Sequence, residues 1–115
     1  MNTFMTSVLK QKTWSDPPRR SLNATEIVAN LSQLQGWALA GDGKDVAIEK
    51  TFMFANYYET MSFVNAVAFV AHVQNHHPAL AVQFNRCVVR FNTHDVSGLS
   101  SADFDCAGRV DGLLV

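Results

Sequence analysis

A helix with a defined start and a forced stop is the feature that most constrains the fold of this chain. Asn56 and Glu59 have the residue types of a capping box, and apolar residues recur at helical spacing after them. Pro78 cannot continue a helix and disfavours helical geometry at the residue before it. The helix must therefore stop near His76 and His77, which lie at its end or in the following loop.

The segments on either side of this helix predict further helices and strands. Before it, a second capping-box pair, Asn23 and Glu26, opens a short helix that runs until Gly36. Residues 37–54 alternate in hydrophobicity around a Gly-Asp-Gly turn, which predicts a β-hairpin. After it, apolar residues between positions 80 and 93 indicate one long strand or two.

A last helix begins at Ser100, whose capping-box partner is Asp103. The order helix, hairpin, helix, strand region, helix predicts an α+β fold, with an antiparallel β-sheet and helices packed on one face. At 115 residues the chain is expected to form one folded domain, over residues 23–115. Residues 1–22 show no sustained period and contain adjacent prolines, so they are expected to form a flexible arm.

Composition argues against several classes of partner. Nine basic residues against ten acidic ones give a net charge of −1, so nothing in the bulk charge favours nucleic acid or a membrane surface. No apolar run reaches the ~20 residues that span a bilayer, and no export signal is evident, so a cytoplasmic protein is expected. Cys87 and Cys106 lie in apolar runs and are expected to be buried thiols. The 48% hydrophobic share indicates apolar surface for self-association.

Three of the four histidines lie within residues 72–78, and His94 follows. Because an unperturbed imidazole has a pKa of ~6.5, such a cluster is a candidate for proton transfer. His72 and His76 have the spacing of a two-histidine metal pair on a helix. A metalloprotease, however, would place glutamate where this chain has Val73, and neither cysteine has a partner for a structural zinc site. We therefore expect no metal, and helix capping by the adjacent histidines is the alternative to catalysis.

The polar positions form one pattern when they are taken together. It consists of a histidine, two adjacent histidines with proline, an aromatic residue, a further histidine and an aspartate at fixed intervals: His72, His76, His77, Pro78, Phe84, His94 and Asp103. This pattern resembles that of the pterin-4a-carbinolamine dehydratases, the pterin-recycling enzymes of aromatic amino-acid hydroxylation. The resemblance runs from about Ile27 to Leu114, so that only the arm lies outside it.

The resemblance implies a hydro-lyase that dehydrates 4a-hydroxytetrahydropterin to the quinonoid dihydropterin without a metal or redox cofactor. It assigns proton transfer to His76 and His94. It also places His77 among the catalytic residues, with the role of positioning the substrate. Asp103 would orient a histidine or tune its charge, although a capping carboxylate is expected there in any case. Trp37 would lie near the pterin, with core packing as the alternative. A loop histidine carries little core packing, so His76→Ala is expected to leave the fold intact.

The family also includes proteins with interaction roles. Some members are dimerisation cofactors of a homeodomain transcription factor, and relatives are assembly chaperones for a carbon-fixing enzyme, so a non-catalytic role is the alternative. The presence of His76, His77 and His94 favours the enzyme over a non-catalytic role. The resemblance further implies a homodimer or homotetramer and a place beside an aromatic amino-acid hydroxylase. The chain departs from the family at His72, where glutamate is common, and at Ala79-Leu80. The resemblance therefore does not assign a carboxylate relay or the rim of the pocket in this chain.

Overall fold

Residues 18–114 are described by the structure, which is a computed structural model. They form three α-helices and four β-strands, with short 3₁₀ turns at Gly43–Asp45 and His94–Val96. The elements in chain order are α1 (Ala24–Leu31), β1 (Ala38–Ala40), β2 (Ala47–Met53), α2 (Tyr57–Gln74), β3 (Ala79–Gln83), β4 (Arg86–Phe91) and α3 (Ser101–Gly112).

The four strands form a single antiparallel sheet in the order β1-β2-β4-β3. One face of this sheet is buried, because side chains alternate along a strand and only every second residue of β4 faces the helices. The core joins this face to helices α2 and α3 through buried apolar side chains: Ile48, Phe52, Phe63, Val67, Cys87, Val89, Phe91, Phe104, Ala107 and Val110. The predicted α+β fold with an antiparallel sheet is therefore confirmed.

The strand region contains two strands rather than one long one. A connection of only two residues, Phe84 and Asn85, joins β3 to β4. Helix α2 and the residue that follows β2 hold this turn, since the Thr60 hydroxyl donates to the Phe84 carbonyl at 3.0 Å and the Phe54 N–H donates to the Asn85 carbonyl at 2.8 Å. The turn was invisible in the sequence because one of its two residues is aromatic and carries no turn signal.

Helix α2 begins and ends where its sequence signals indicate. The Asn56 side chain accepts a hydrogen bond from the Glu59 N–H at 2.8 Å, which satisfies a donor that the helix itself leaves unpaired. At the other end Asn75 adopts a left-handed conformation with φ of 52°, and the N–H of His76 returns to the Ala71 carbonyl at 3.0 Å. The adjacent histidines therefore follow the helix directly, as predicted.

Helix α1 is shorter than predicted. Its capping box between Asn23 and Glu26 is present, but the helix stops at Leu31 and does not continue to Gly36. Polar side chains compete for the carbonyls of the last turn, since Asn30 donates to the Glu26 carbonyl at 2.8 Å and Ser32 donates to that of Ala29 at 2.6 Å. The residues that follow form a turn that leads into β1.

The predicted arm falls mostly outside the described residues, which begin at position 18. The remainder of the predicted arm lies against the domain. Leu22 packs on the core, and its N–H donates to the Leu99 carbonyl at 2.8 Å. Within the part of the chain that the structure describes, none of the helices is long and apolar enough to cross a membrane.

Candidate active site

His76 is a buried residue at the centre of the polar network that follows α2. Its side chain is only 5% exposed, and its ring stacks on Phe91 with a centroid distance of 5.8 Å and an interplanar angle of 13°. The turn at Asn75 directs the chain inward, and β4 supplies the apolar surface on which the imidazole lies. The premise that His76 carries little core packing is therefore wrong, and His76→Ala is expected to lower stability because the substitution would empty a packed site.

Asp103 is the buried carboxylate that faces this histidine. It is fully buried, and its Oδ1 lies 2.5 Å from His76 Nε2. Its Oδ2 accepts hydrogen bonds from the Thr93 hydroxyl at 2.7 Å and from the Ser100 N–H at 2.9 Å. The bond to Ser100 belongs to the predicted capping box of α3, so the same carboxylate both caps a helix and holds a histidine. A buried carboxylate requires such partners to offset the loss of water.

The other ring nitrogen of His76 is held from the N-terminal side. Arg19 Nη1 lies 3.0 Å from His76 Nδ1, and Arg19 Nη2 donates to the Asn75 carbonyl at 2.8 Å. A guanidinium has only donors, so Nδ1 must accept and therefore carries no proton. The proton of the neutral ring then resides on Nε2 and is donated to Asp103. Both nitrogens of His76 are thus engaged within the protein.

His77 and His94 differ from His76 in that their side chains are exposed. Two adjoining cavities, of about 180 and about 240 Å³, share these two histidines and Asn92 as lining residues and so form one open cleft. Arg19 and His76 line its inner part. Among residues 18–114, no side chain or backbone group forms a hydrogen bond with the imidazole of His77 or His94. These two rings can therefore exchange protons with a small molecule in the cleft.

Trp37 does not share this cleft. Its side chain is 6% exposed and packs in the core against Phe52 and Phe91. Its indole N–H donates to the Asp111 carboxylate at 3.0 Å, and Asp111 also accepts from Lys50 at 2.9 Å. The prediction that Trp37 lies beside the substrate is corrected accordingly: the residue has the core role that was the alternative.

His72 lies in the last turn of α2 and is half buried. It is not among the residues that line the cleft. Its helical spacing from His76 does not produce a pair, because α2 stops at Gln74 and the chain turns at Asn75. Across positions 18–114, no three histidine, cysteine or acidic side chains converge in an arrangement that could hold a metal ion. The absence of a metal from the reaction stays a prediction.

The two cysteines are free and buried, as predicted. Burial, together with the carboxylates of Asp103 and Asp105, raises the pKa of the Cys106 thiol to about 11 against the opposing effect of Arg19 and Arg109. Burial also raises the pKa of the Cys87 thiol. Thiolate is the reactive form, so both groups are expected to be inert in the folded protein.

We expect alkylation by iodoacetamide at pH 8 to be negligible for both cysteines in the native protein, because each thiol is protonated at this pH and shielded from solvent. Mass spectrometry of the intact chain would measure the number of adducts. The control is the same reaction in concentrated urea, where both cysteines should react. Rapid labelling of Cys106 in the native protein would contradict the burial of this side of α3.

Several contacts of this site were absent from the sequence-based prediction. Thr93 and Ser100 complete the shell of Asp103, with their hydroxyl oxygens 2.6 Å apart. Arg19 is separated from His76 by 57 residues and lies in a segment without any periodic pattern. Of these three residues, only Ser100 was indicated by a local signal, as the predicted N-cap of α3.

Comparisons with known proteins relate the chain to one family. A family model described as pterin 4 alpha carbinolamine dehydratase matches residues 20–113. A relative from Paracidovorax citrulli is 64% identical over 108 residues, which cover 94% of this chain and 93% of the relative. Another, from Bdellovibrio bacteriovorus, is 46% identical over 94% of this chain and 88% of its own length. Both are named for pterin-4-alpha-carbinolamine dehydratase.

Solved structures show the same architecture. A transcriptional coactivator/pterin dehydratase from Brucella melitensis superposes with a TM-score of 0.76 at 26% identity, covering 82% of this chain and 98% of that protein. A pterin dehydratase-like protein identified as a RuBisCO assembly factor in the alpha-carboxysome has a TM-score of 0.59 at 24% identity, covering 69% and 89% respectively. The second likeness concerns the fold alone.

Proposed function

Because the chain belongs to the pterin-4-alpha-carbinolamine dehydratase family, we propose that it dehydrates a 4a-hydroxytetrahydropterin to the quinonoid dihydropterin. The observation that carries the proposal is the open cleft with two exposed imidazoles, His77 and His94, beside the buried network of His76 and Asp103. Such a cleft offers both a proton donor and a proton acceptor to a flat, polar ring.

The reaction needs two proton transfers. As the bond between carbon 4a and its hydroxyl oxygen breaks, an acid donates a proton and the hydroxyl leaves as water. A base takes the proton of the neighbouring ring nitrogen, whose electron pair forms the new double bond to carbon 4a. No electrons are exchanged with an external group, so the reaction calls for neither a metal nor a redox cofactor. One protonated and one neutral imidazole would suffice, and they regain their starting states by proton exchange with water.

We assign these transfers to His77 and His94 rather than to His76 and His94. The basis is accessibility: the rings of His77 and His94 line the cleft from exposed positions, whereas both nitrogens of His76 are engaged by Arg19 and Asp103. In this scheme His76 fixes the backbone and the inner wall of the cleft, and Asp103 fixes His76. Trp37 has no part in substrate binding.

The proposal extends to the setting of the reaction. The product is the quinonoid dihydropterin, which a pathway with an aromatic amino-acid hydroxylase would recycle. The reaction would take place in the cytoplasm. We also propose a homodimer or homotetramer. Large apolar side chains exposed on α2, among them Tyr58 at 82% and Phe69 at 45%, support self-association.

An interaction role is the second candidate, and one apolar groove favours it. The groove, of about 390 Å³, lies between the first half of α2 and the end of the chain, and its apolar lining includes Phe54, Tyr58, Phe63, Leu113 and Leu114. Grooves of this kind receive apolar faces of partner helices. The groove does not include the histidines, so both functions could coexist in one chain.

The test is the dehydration of enzymatically generated 4a-hydroxytetrahydropterin, followed by its ultraviolet change. We expect acceleration over the spontaneous reaction, unchanged after chelator treatment and abolished in the double variant His77→Ala/His94→Ala. The control His72→Ala removes a histidine that does not line the cleft and should retain the rate. Absence of acceleration by the wild-type protein would refute the enzyme and favour the interaction role.

A further inference from the structure

Arg19 connects the N-terminal segment to the centre of the candidate site. Its guanidinium is half buried, lines the inner part of the cleft, and forms two hydrogen bonds with consecutive residues, Asn75 and His76. The segment that carries it is anchored at Leu22, whose N–H bonds to the Leu99 carbonyl at 2.8 Å. The family match begins at residue 20, one position after this arginine.

We propose that Arg19 is a positioning residue of the active site. One arm of its guanidinium holds His76 as the neutral tautomer whose proton lies on Nε2, directed at Asp103. The other arm holds the carbonyl of Asn75, the residue in left-handed conformation that turns the chain from α2 towards His77. Arg19 thus fixes the ring of one histidine and the backbone that carries the next.

The charges around His76 explain why an arginine suits this position. The groups that face its ring are the Arg19 cation from the N-terminal segment and the Asp103 anion from α3. His77, His94 and Asp95 lie along the cleft, and the Cys106 thiol nearby is protonated at neutral pH. Without the guanidinium, His76 Nδ1 would lose its hydrogen-bond donor, and only the bond from Nε2 to Asp103 would hold the ring.

The geometry also separates arginine from lysine. The two acceptors, an imidazole nitrogen and a backbone carbonyl, are reached by the two terminal nitrogens of one planar group. An ammonium is a single point charge and cannot span both acceptors in the same fixed directions. Lysine at this position should therefore preserve the charge but not the alignment.

The test compares Arg19→Gln and Arg19→Lys with Arg20→Gln as a matched control. Arg20 is the next residue, but it is exposed and its cation pairs with Glu26 at 2.7 Å, away from the cleft. Nitrogen-15 NMR of the histidine rings reports the tautomer of His76 directly. We expect the His76 Nδ1 signal at one chemical shift in the wild type and in Arg20→Gln, and at a different shift in Arg19→Gln, which lacks the guanidinium that donates to this nitrogen.

Turnover supplies the second readout, and this part rests on the proposed function. We expect kcat to fall about tenfold in Arg19→Gln with KM little changed, an intermediate value for Arg19→Lys, and no change for Arg20→Gln. An unchanged chemical shift of His76 Nδ1 in Arg19→Gln would overturn the proposal. So would a lower KM at constant kcat, which would mean that the guanidinium obstructs the cleft. If the wild type has no dehydratase activity, the NMR comparison still decides the positioning role.

Discussion

Asp103→Asn is expected to lower the free energy of unfolding by about 3 kcal/mol and to reduce turnover, because it breaks a buried, charge-assisted network. The carboxylate is fully buried and accepts hydrogen bonds from His76, Thr93 and Ser100. An amide of the same shape can satisfy Thr93 and Ser100 with its oxygen. Its NH₂ group would then face the Nε2 proton of His76, which places two donors against each other.

Changing the tautomer of His76 does not resolve this conflict. If the proton moves to Nδ1, Nε2 can accept from the amide, but Nδ1–H then faces the donor of Arg19, 3.0 Å away. Either arrangement leaves one buried polar group without its bond. The substitution is therefore expected to weaken the network of hydrogen bonds that runs from Arg19 through His76 to residue 103 in α3.

Urea denaturation followed by circular dichroism would measure this effect. The matched control is Asp105→Asn, which neutralises an exposed carboxylate two positions further along α3. Its free energy of unfolding should stay within about 0.5 kcal/mol of the wild-type value. Equal midpoints for Asp103→Asn and the control would show that the buried network contributes little to stability.

His77→Ala is expected to lower kcat by a factor of about 10² to 10⁴, the usual contribution of general acid-base catalysis, while leaving stability nearly unchanged. The side chain is exposed and lines the cleft, so its removal empties no packed space. The neighbouring substitution His76→Ala is expected to lower stability by about 2 kcal/mol, because that ring is buried, stacked on Phe91 and hydrogen-bonded at both nitrogens.

Steady-state kinetics and urea denaturation on both variants would separate the two roles. Loss of turnover with a wild-type unfolding midpoint in His77→Ala, and a lowered midpoint in His76→Ala, is the expected combination. Wild-type turnover in His77→Ala would remove this histidine from the acid-base pair and return the assignment to His76 and His94.

Local signals in the sequence were sufficient for most of the fold. The capping residues Asn23, Asn56 and Ser100 lie at the starts of the three helices, and the apolar residues between positions 80 and 93 correctly indicated a strand region. Where side chains compete locally for backbone groups, as Ser32 does at the end of α1, the helix stops earlier than hydrophobic spacing suggests.

The site was predicted less completely because its contacts join residues that are distant in the chain. His76, His77, His94 and Asp103 belong to one network or line one cleft, whereas His72 does not line it, and spacing did not indicate which ring would be buried. Trp37 was misplaced because a large aromatic residue at the start of a strand can face either a ligand or the core. Arg19 carried no local signal, since its partners become neighbours only in the folded chain.

Because of the left-handed turn at Asn75, the loop between α2 and β3 should tolerate substitutions better than insertions or deletions. The connection from α2 to β3 has only four residues, 75–78, and within it one histidine faces inward and the next faces outward. A single inserted or deleted residue would exchange the two directions and present the wrong ring to the cleft. Over evolutionary time, this loop should therefore accept substitutions at its rim while rejecting almost every change of length.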